Sequence, residues 1–201
     1  SGSATGGPAI SSYTITAYDA SNNAAGTPCQ TASSATSCVV TGLTNGTTYT
    51  FKATASNGLF TSSASAASNA VTPATAPDSP TSVTASSSAS GSATVSFSAP
   101  TNNGGSAVTS YTVTSSPAGA TCSIGANSTT YICTGLTDGT SYTYSVIAVN
   151  AKGNSASATS SALITQGAAS APTTISATTG DEQATITFSG ATANGSTITG
   201  Y

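Results

Sequence analysis

Apolar residues along this chain recur at every second position in short runs, and not at the three-and-four spacing of an amphipathic helix. The clearest run is residues 141–150, where Tyr142, Tyr144, Val146 and Ala148 alternate with Thr143, Ser145 and Ile147. A strand turns successive side chains to opposite faces, so the first set predicts an inward face and the second an outward one. Between Pro77 and Gly167 the same pattern predicts strands at 81–86, 93–99, 109–116, 121–124, 131–134, 141–150 and 157–165, separated by clusters of Gly, Asn, Pro and Ser. Seven short strands and no helix predict an all-β sandwich. Val83, Val95, Phe97, Tyr111, Val113 and Leu136 are expected to join the inward face of residues 141–150 in its core.

The pattern repeats. Gly42-Leu43-Thr44-Asn45-Gly46-Thr47-Thr48-Tyr49-Thr50-Phe51 returns as Gly135-Leu136-Thr137-Asp138-Gly139-Thr140-Ser141-Tyr142-Thr143-Tyr144, 93 residues further on. Gly6 to Ile15 returns as Gly104 to Val113, and again in outline as Gly195 to Tyr201. A fixed period of this size marks tandem units. Proline-bearing stretches, 72–80 and 166–172, fall between the copies and stiffen the joints. The expected division is a partial module at 1–73, a complete one at 77–167 and a partial one at 172–201. Residue 1 aligns just after the second strand of a module, and Tyr201 falls inside the third strand of another. This reads as a window cut from a longer array; the rival reading is strand exchange between subunits, which would duplicate one strand.

Composition narrows the function. Only seven residues are charged: Lys52, Lys152, Asp19, Asp78, Asp138, Asp181 and Glu182. Two cations make no basic patch, which excludes nucleic acid as a partner. No apolar run reaches the ~20 residues of a membrane-spanning helix, so no membrane insertion is expected in this segment. Without histidine there is no Ser-His-Asp or Cys-His arrangement, and no Gly-x-Ser-x-Gly elbow occurs. Asp181 and Glu182 are consecutive in a predicted hairpin turn, so they do not face each other across a cleft as glycosidase carboxylates must. Sparse acids also leave no calcium cage. The chain is expected to be non-catalytic and to carry no cofactor.

The repeated Leu-x-x-Gly-x-x-Tyr token, at Leu43, Gly46 and Tyr49 and again at Leu136, Gly139 and Tyr142, resembles the tyrosine corner of fibronectin type III domains. With the Pro-rich linkers and with Asn57 and Asn150 ending the sixth strand, the chain resembles tandem domains of that family from bacterial surface and secreted proteins. The resemblance implies immunoglobulin-like sandwiches in which the Tyr ring packs inward and its hydroxyl meets backbone a few residues upstream. The family's usual buried Trp is replaced here by Phe97 and Phe188, and no Arg-Gly-Asp triplet occurs.

Cys29 and Cys38 precede one corner, Cys122 and Cys133 the other, which suggests one disulfide within each module, joining a C′ edge to strand E across the two sheets. Each short loop would contribute about 2 to 3 kcal/mol. Paired cysteines imply an oxidising, extracellular setting. Free buried thiols are the competing reading; zinc is not supported, since Cys-x2-Cys spacing is missing. Asn45, Asn127 and Asn194 open Asn-x-Ser/Thr triplets and are candidate glycosylation positions, though Asn45 already fits a Gly-bearing turn. Hydroxyl-linked sugars are favoured over N-glycans, with residues 85–89 as a candidate stretch.

Two functions follow as expectations. One is a structural or adhesive array, a surface fibre, stalk or large adhesin whose nearly uncharged modules associate with other copies of themselves. The other is a spacer or weak glycan-binding accessory of a secreted polysaccharide-degrading enzyme, with Tyr18, Phe60 and Tyr131 as the aromatics available to surface glycans.

Overall fold

The computed structural model describes residues 8–125 and 128–201. Every named element is a strand, and among the described residues no helix is long and apolar enough to cross a membrane. The chain divides into two compact units, one up to Thr75 with 104–107, the other 76–103 with 108–201.

The first unit holds β1 (Ser12–Tyr18), β2 (Ala24–Ala32) and β3 (Thr50–Ser56) in one antiparallel sheet ordered β2-β1-β3. The β1–β2 turn is built by Asp19, whose Oδ1 accepts from the Ser21 and Asn23 amides at 2.9 Å each. Those bonds hold the Asp19 carboxyl below its ordinary pKa, the Asn23 amide contributing most. A tight Asx turn of this kind folds β2 straight back on β1. Ala17 and Tyr49 are buried, while Tyr13, Ile15, Phe51 and Ala53 are half-buried.

The second unit contains a closed sandwich. Its first sheet runs β4-β5-β8-β7, from β4 (Thr81–Ala89), β5 (Ser92–Ser98), β7 (Thr121–Ile124) and β8 (Thr130–Thr134). Its second sheet pairs β6 (Val108–Ser116) with β9 (Ser141–Asn150), and β9 takes three two-residue strands on its other side: β10 (Gly153–Asn154), β11 (Ala158–Thr159) and β12 (Leu163–Ile164). Ala93, Val95, Phe97, Val113, Tyr131, Cys133, Leu136, Tyr142, Tyr144 and Val146 form the buried core, with Val83 and Tyr111 packed against it. The alternation of β9 is complete, Tyr142 through Asn150 buried at every second position. Phe97 fills the place of the usual Trp, its ring centroid 4.8 Å from that of Tyr111. A hairpin, β13 (Ile175–Gly180) with β14 (Gln183–Phe188), completes the chain; Asp181 and Glu182 form its exposed turn.

Two expectations need correction. The predicted run 157–165 is not one strand. Its backbone advances five residues for every four of β9, and serine hydroxyls fill the gap: the Tyr144 and Ala148 amides donate to Ser160 Oγ and Ser155 Oγ at 3.0 and 2.9 Å. The first unit repeats the device, with the Phe51, Ala53 and Ala55 amides donating to Ser68, Ser65 and Ser62. The second correction concerns 121–124, which pairs with β8 and not as a C′ strand beside β6. Where the first unit has the Asp19 turn, this module has Ser116-Pro117-Ala118-Gly119, and proline has no N–H to extend a ladder. The chain therefore crosses to the other sheet.

Candidate functional site

The residues singled out from the sequence assemble into structural locks. In each corner the Tyr oxygen accepts an upstream amide: Thr44 N–H to Tyr49 Oη and Thr137 N–H to Tyr142 Oη, both 3.1 Å. Leu136 is buried beside Tyr142, and Leu43 is half-buried in the first unit. Gly46 and Gly139 take φ of 82° and 78°, a left-handed conformation that closes the turn and suits glycine. The Thr44 amide also holds the Tyr49 hydroxyl below the ordinary phenol range. Next door, burial pushes the Tyr144 hydroxyl up, and its Oη has no hydrogen-bond partner among the described residues.

Both disulfides are present, Cys29–Cys38 and Cys122–Cys133, with Cα separations of 6.2 and 4.0 Å. The second does not tie the two sheets together, because Cys122 and Cys133 lie directly opposite each other on β7 and β8 of one sheet. In the first unit Cys29 lies on β2, and Cys38 lies in a segment without regular strand, so no strand E presents it.

Asp138 links two turns. Ser90 Oγ donates to its Oδ2 at 2.5 Å and the Gly91 amide to its Oδ1 at 2.9 Å. These bonds, the Ser90 hydroxyl first, hold the carboxyl below its ordinary pKa. Such a group stabilises the fold above its unfolded pKa, and the contribution is lost as pH falls through the folded value. Stability is therefore expected to drop on the acid limb below about pH 4 and to drop less in Asp138→Asn. The amide keeps an acceptor oxygen for the Gly91 N–H, turns an NH2 donor toward the Ser90 hydroxyl oxygen, and binds no proton. Urea midpoints between neutral and acid pH check this, and an identical slope in both proteins would refute it.

The serines were not anticipated from hydrophobic alternation; the signal was their three-residue spacing at 62, 65 and 68. Ser160→Ala strands the buried Tyr144 amide and is expected to cost about 1 to 3 kcal/mol, whereas the exposed Ser157→Ala should stay within about 0.5 kcal/mol. Denaturant titration of both variants checks the difference.

Of the three aromatics proposed for glycan contact, Tyr131 is buried at 6% exposure and donates its hydroxyl to Tyr111 O at 2.9 Å. Alternation along β8 turns Tyr131 inward with Cys133 and leaves Ile132 outside. Tyr18 carries the Lys52 ammonium 4.8 Å over its ring, so that face is taken. Phe60 stands free at 75% exposure beside Leu59 at 72%, on a turn fixed by Asn57 Oδ1, which accepts both their amides. Asn150 Oδ1 plays a similar part, accepting from the Lys152 amide. Asn45 is exposed; Asn194 has a φ of 49° and donates to Ala168 O, a turn-forming role; Asn127 lies outside the described residues. Among the described residues no group of three His, Cys, Asp or Glu is placed to hold a metal ion.

Comparison with known proteins gives a family. A stretch of 149 residues is 38% identical to Chitinase A1 of Niallia circulans, covering 70% of this chain and 20% of that protein. The chain thus spans a fifth of the curated relative's length. Among solved structures, a segment of two fibronectin type III domains from chicken tenascin covers 79% of this chain and 95% of its own at 21% identity and a TM-score of 0.40. Titin kinase with its flanking domains covers 46% of this chain and 18% of its own at 29% identity and a TM-score of 0.38. The fibronectin type III domain matches residues 2–71 and 78–165, so the chain belongs to the fibronectin type III family, as a tandem of at least two such domains.

Proposed function

We propose that the chain is a non-catalytic spacer in an extracellular protein, a row of modules whose task is to hold distance and shape. The observation that carries this reading is the repetition of the same interior locks in successive modules: a tyrosine corner, a disulfide and a serine-bonded last strand. Three separate devices fix the frame. Disulfides support an oxidising compartment.

Two settings were expected, an assembling surface array and an accessory segment of a polysaccharide-degrading enzyme. The likeness to a chitinase favours the second. Reading the complete gene tests it directly: a hydrolase domain in the same polypeptide supports the accessory setting, and many further repeats without one overturn it in favour of the array.

A glycan-contacting role is a second reading, favoured by the Leu59–Phe60 tip, where an aromatic face is presented on a fixed turn. Co-sedimentation of the chain with insoluble chitin tests it. Retention lost in Phe60→Ala supports contact, and passage of the unaltered chain into the supernatant leaves the spacer role alone.

A further inference from the structure

In an Asn-Gly dipeptide the glycine nitrogen can attack the preceding side-chain amide, because no Cβ stands in the way of the approach. The pair occurs at residues 45–46, 57–58, 103–104 and 194–195. The fold treats these copies differently. At Asn57 the side chain is turned back along the main chain, its Oδ1 accepting the Leu59 and Phe60 amides at 3.1 and 2.8 Å. An Asx turn of this form holds Cγ over the main chain of residue 58, where the Gly58 nitrogen has to attack. The same two amides point at the oxygen on which negative charge develops when a nucleophile adds to Cγ, as the donors of an oxyanion hole do. Gly58 takes φ of 87° and lies outside the strands, its N–H donating to Ser56 Oγ at 3.2 Å. Beyond its chain neighbours, nothing stands within 4 Å of where a Cβ would be. Loss of that proton and movement of that nitrogen therefore break no strand pairing.

We propose that Asn57 is a self-modifying position, which loses its amide nitrogen by cyclisation on Gly58. The Gly58 nitrogen gives up its proton and bonds to Asn57 Cγ; the Cγ–Nδ2 bond breaks, and the amine leaves with a proton as ammonia. Water then opens the resulting succinimide at either carbonyl, leaving an aspartyl or an isoaspartyl residue. The product adds a carboxylate beside the exposed Leu59 and Phe60, on a chain whose formal net charge is only -3. A slow chemical clock is thus set in the turn that presents Phe60. This goes beyond the spacer reading and does not depend on it.

The other copies are arranged against the reaction. The Gly46 N–H is engaged by Pro73 O at 2.9 Å. Asn194 Nδ2 donates to Ala168 O at 2.7 Å, and Gly195 is packed so closely on Thr165 O that a Cβ there would overlap it. Asn103 O is held by Asn150 Nδ2 at 2.8 Å. The closed module also supplies a control at the matching turn. Asn150 Oδ1 accepts the Lys152 amide at 2.8 Å, as Asn57 Oδ1 accepts that of Leu59, but the intervening residue is Ala151 and Asn150 is 5% exposed.

Incubation of the full chain in mildly alkaline buffer, with and without urea, tests the proposal; chymotryptic peptide mapping and enzymatic methylation of isoaspartate follow each position. In urea the Asn-Gly pairs are expected to react at similar rates, since local sequence alone then acts. In native buffer Asn57 should keep or exceed its urea rate, while Asn45 and Asn194 fall about tenfold or more below theirs. Gly58→Ala should slow Asn57 about tenfold, and Asn150 should stay intact in both proteins. An Asn57 that falls as far below its urea rate as the other two overturns the proposal. So does equal loss of ammonia at Asn57 in Gly58→Ala, because direct hydrolysis would then be the route.

Discussion

Replacing Tyr142 with alanine is expected to cost the closed module about 3 to 5 kcal/mol, a large share of what a domain of this size holds. The ring is buried among Leu136, Tyr144 and Val146, and its oxygen is the acceptor for the Thr137 amide. Tyr142→Phe separates the two roles, since it keeps the ring and loses only the bond; a cost of about 0.5 to 1.5 kcal/mol is expected. Two residues along, the result should differ in sign. Tyr144 is fully buried and its oxygen has no hydrogen-bond partner among the described residues, so Tyr144→Phe removes an uncompensated polar group and should be neutral or stabilising by up to about 1 kcal/mol. Urea titration followed by near-ultraviolet circular dichroism reads all three. Equal costs for the two Tyr→Phe changes would mean that the corner bond contributes nothing specific.

The second large effect is redox. Each disulfide closes a short loop, nine and eleven positions apart, and loss of either is expected to remove about 2 to 3 kcal/mol from its unit. Strand content should persist on reduction, because β7 and β8 are also held by their own ladder from Thr121 to Ile124. Cys133 has no exposed surface and Cys122 is half-buried, so reductant access is restricted to the Cys122 side and reduction should be faster in urea than in native buffer. Melting curves with and without reductant, with mass spectrometry of blocked thiols, check this. Four free thiols under non-reducing conditions would remove the argument for an oxidising compartment.

Much of this architecture was legible in the residues. Alternation along 141–150 names the buried face of β9, and the repeat of Leu43 to Tyr49 at Leu136 to Tyr142 names the lock, because both depend on local geometry that side-chain pattern encodes directly. What stayed hidden depends on partners. A four-residue strand such as Thr121–Ile124 pairs equally well with either sheet, and the choice is made outside it, by the Asp19 turn in one unit and by Pro117 in the other. Tyr131 is buried for a related reason: its neighbour Ile132 is as apolar as Cys133, and the pairing of β8, not its composition, decides which face turns inward. Serine spacing carries no hydrophobic signal and hydroxyl residues read as loop, whereas here they supply the acceptors that the main chain leaves missing.

Those serines also change what the last strand exposes to its surroundings. An ordinary outer strand offers an unbroken row of main-chain donors and acceptors that any similar sequence can zip onto. In the first unit that row is interrupted every third residue: Ser62, Ser65 and Ser68 accept amides from β3 and return their hydroxyl protons to the carbonyls of Ser63, Ala66 and Asn69. Related modules strung on one polypeptide sit at high local concentration, where cross-pairing of strands is a hazard. A rim that satisfies itself leaves fewer free main-chain groups for a neighbouring strand to pair with.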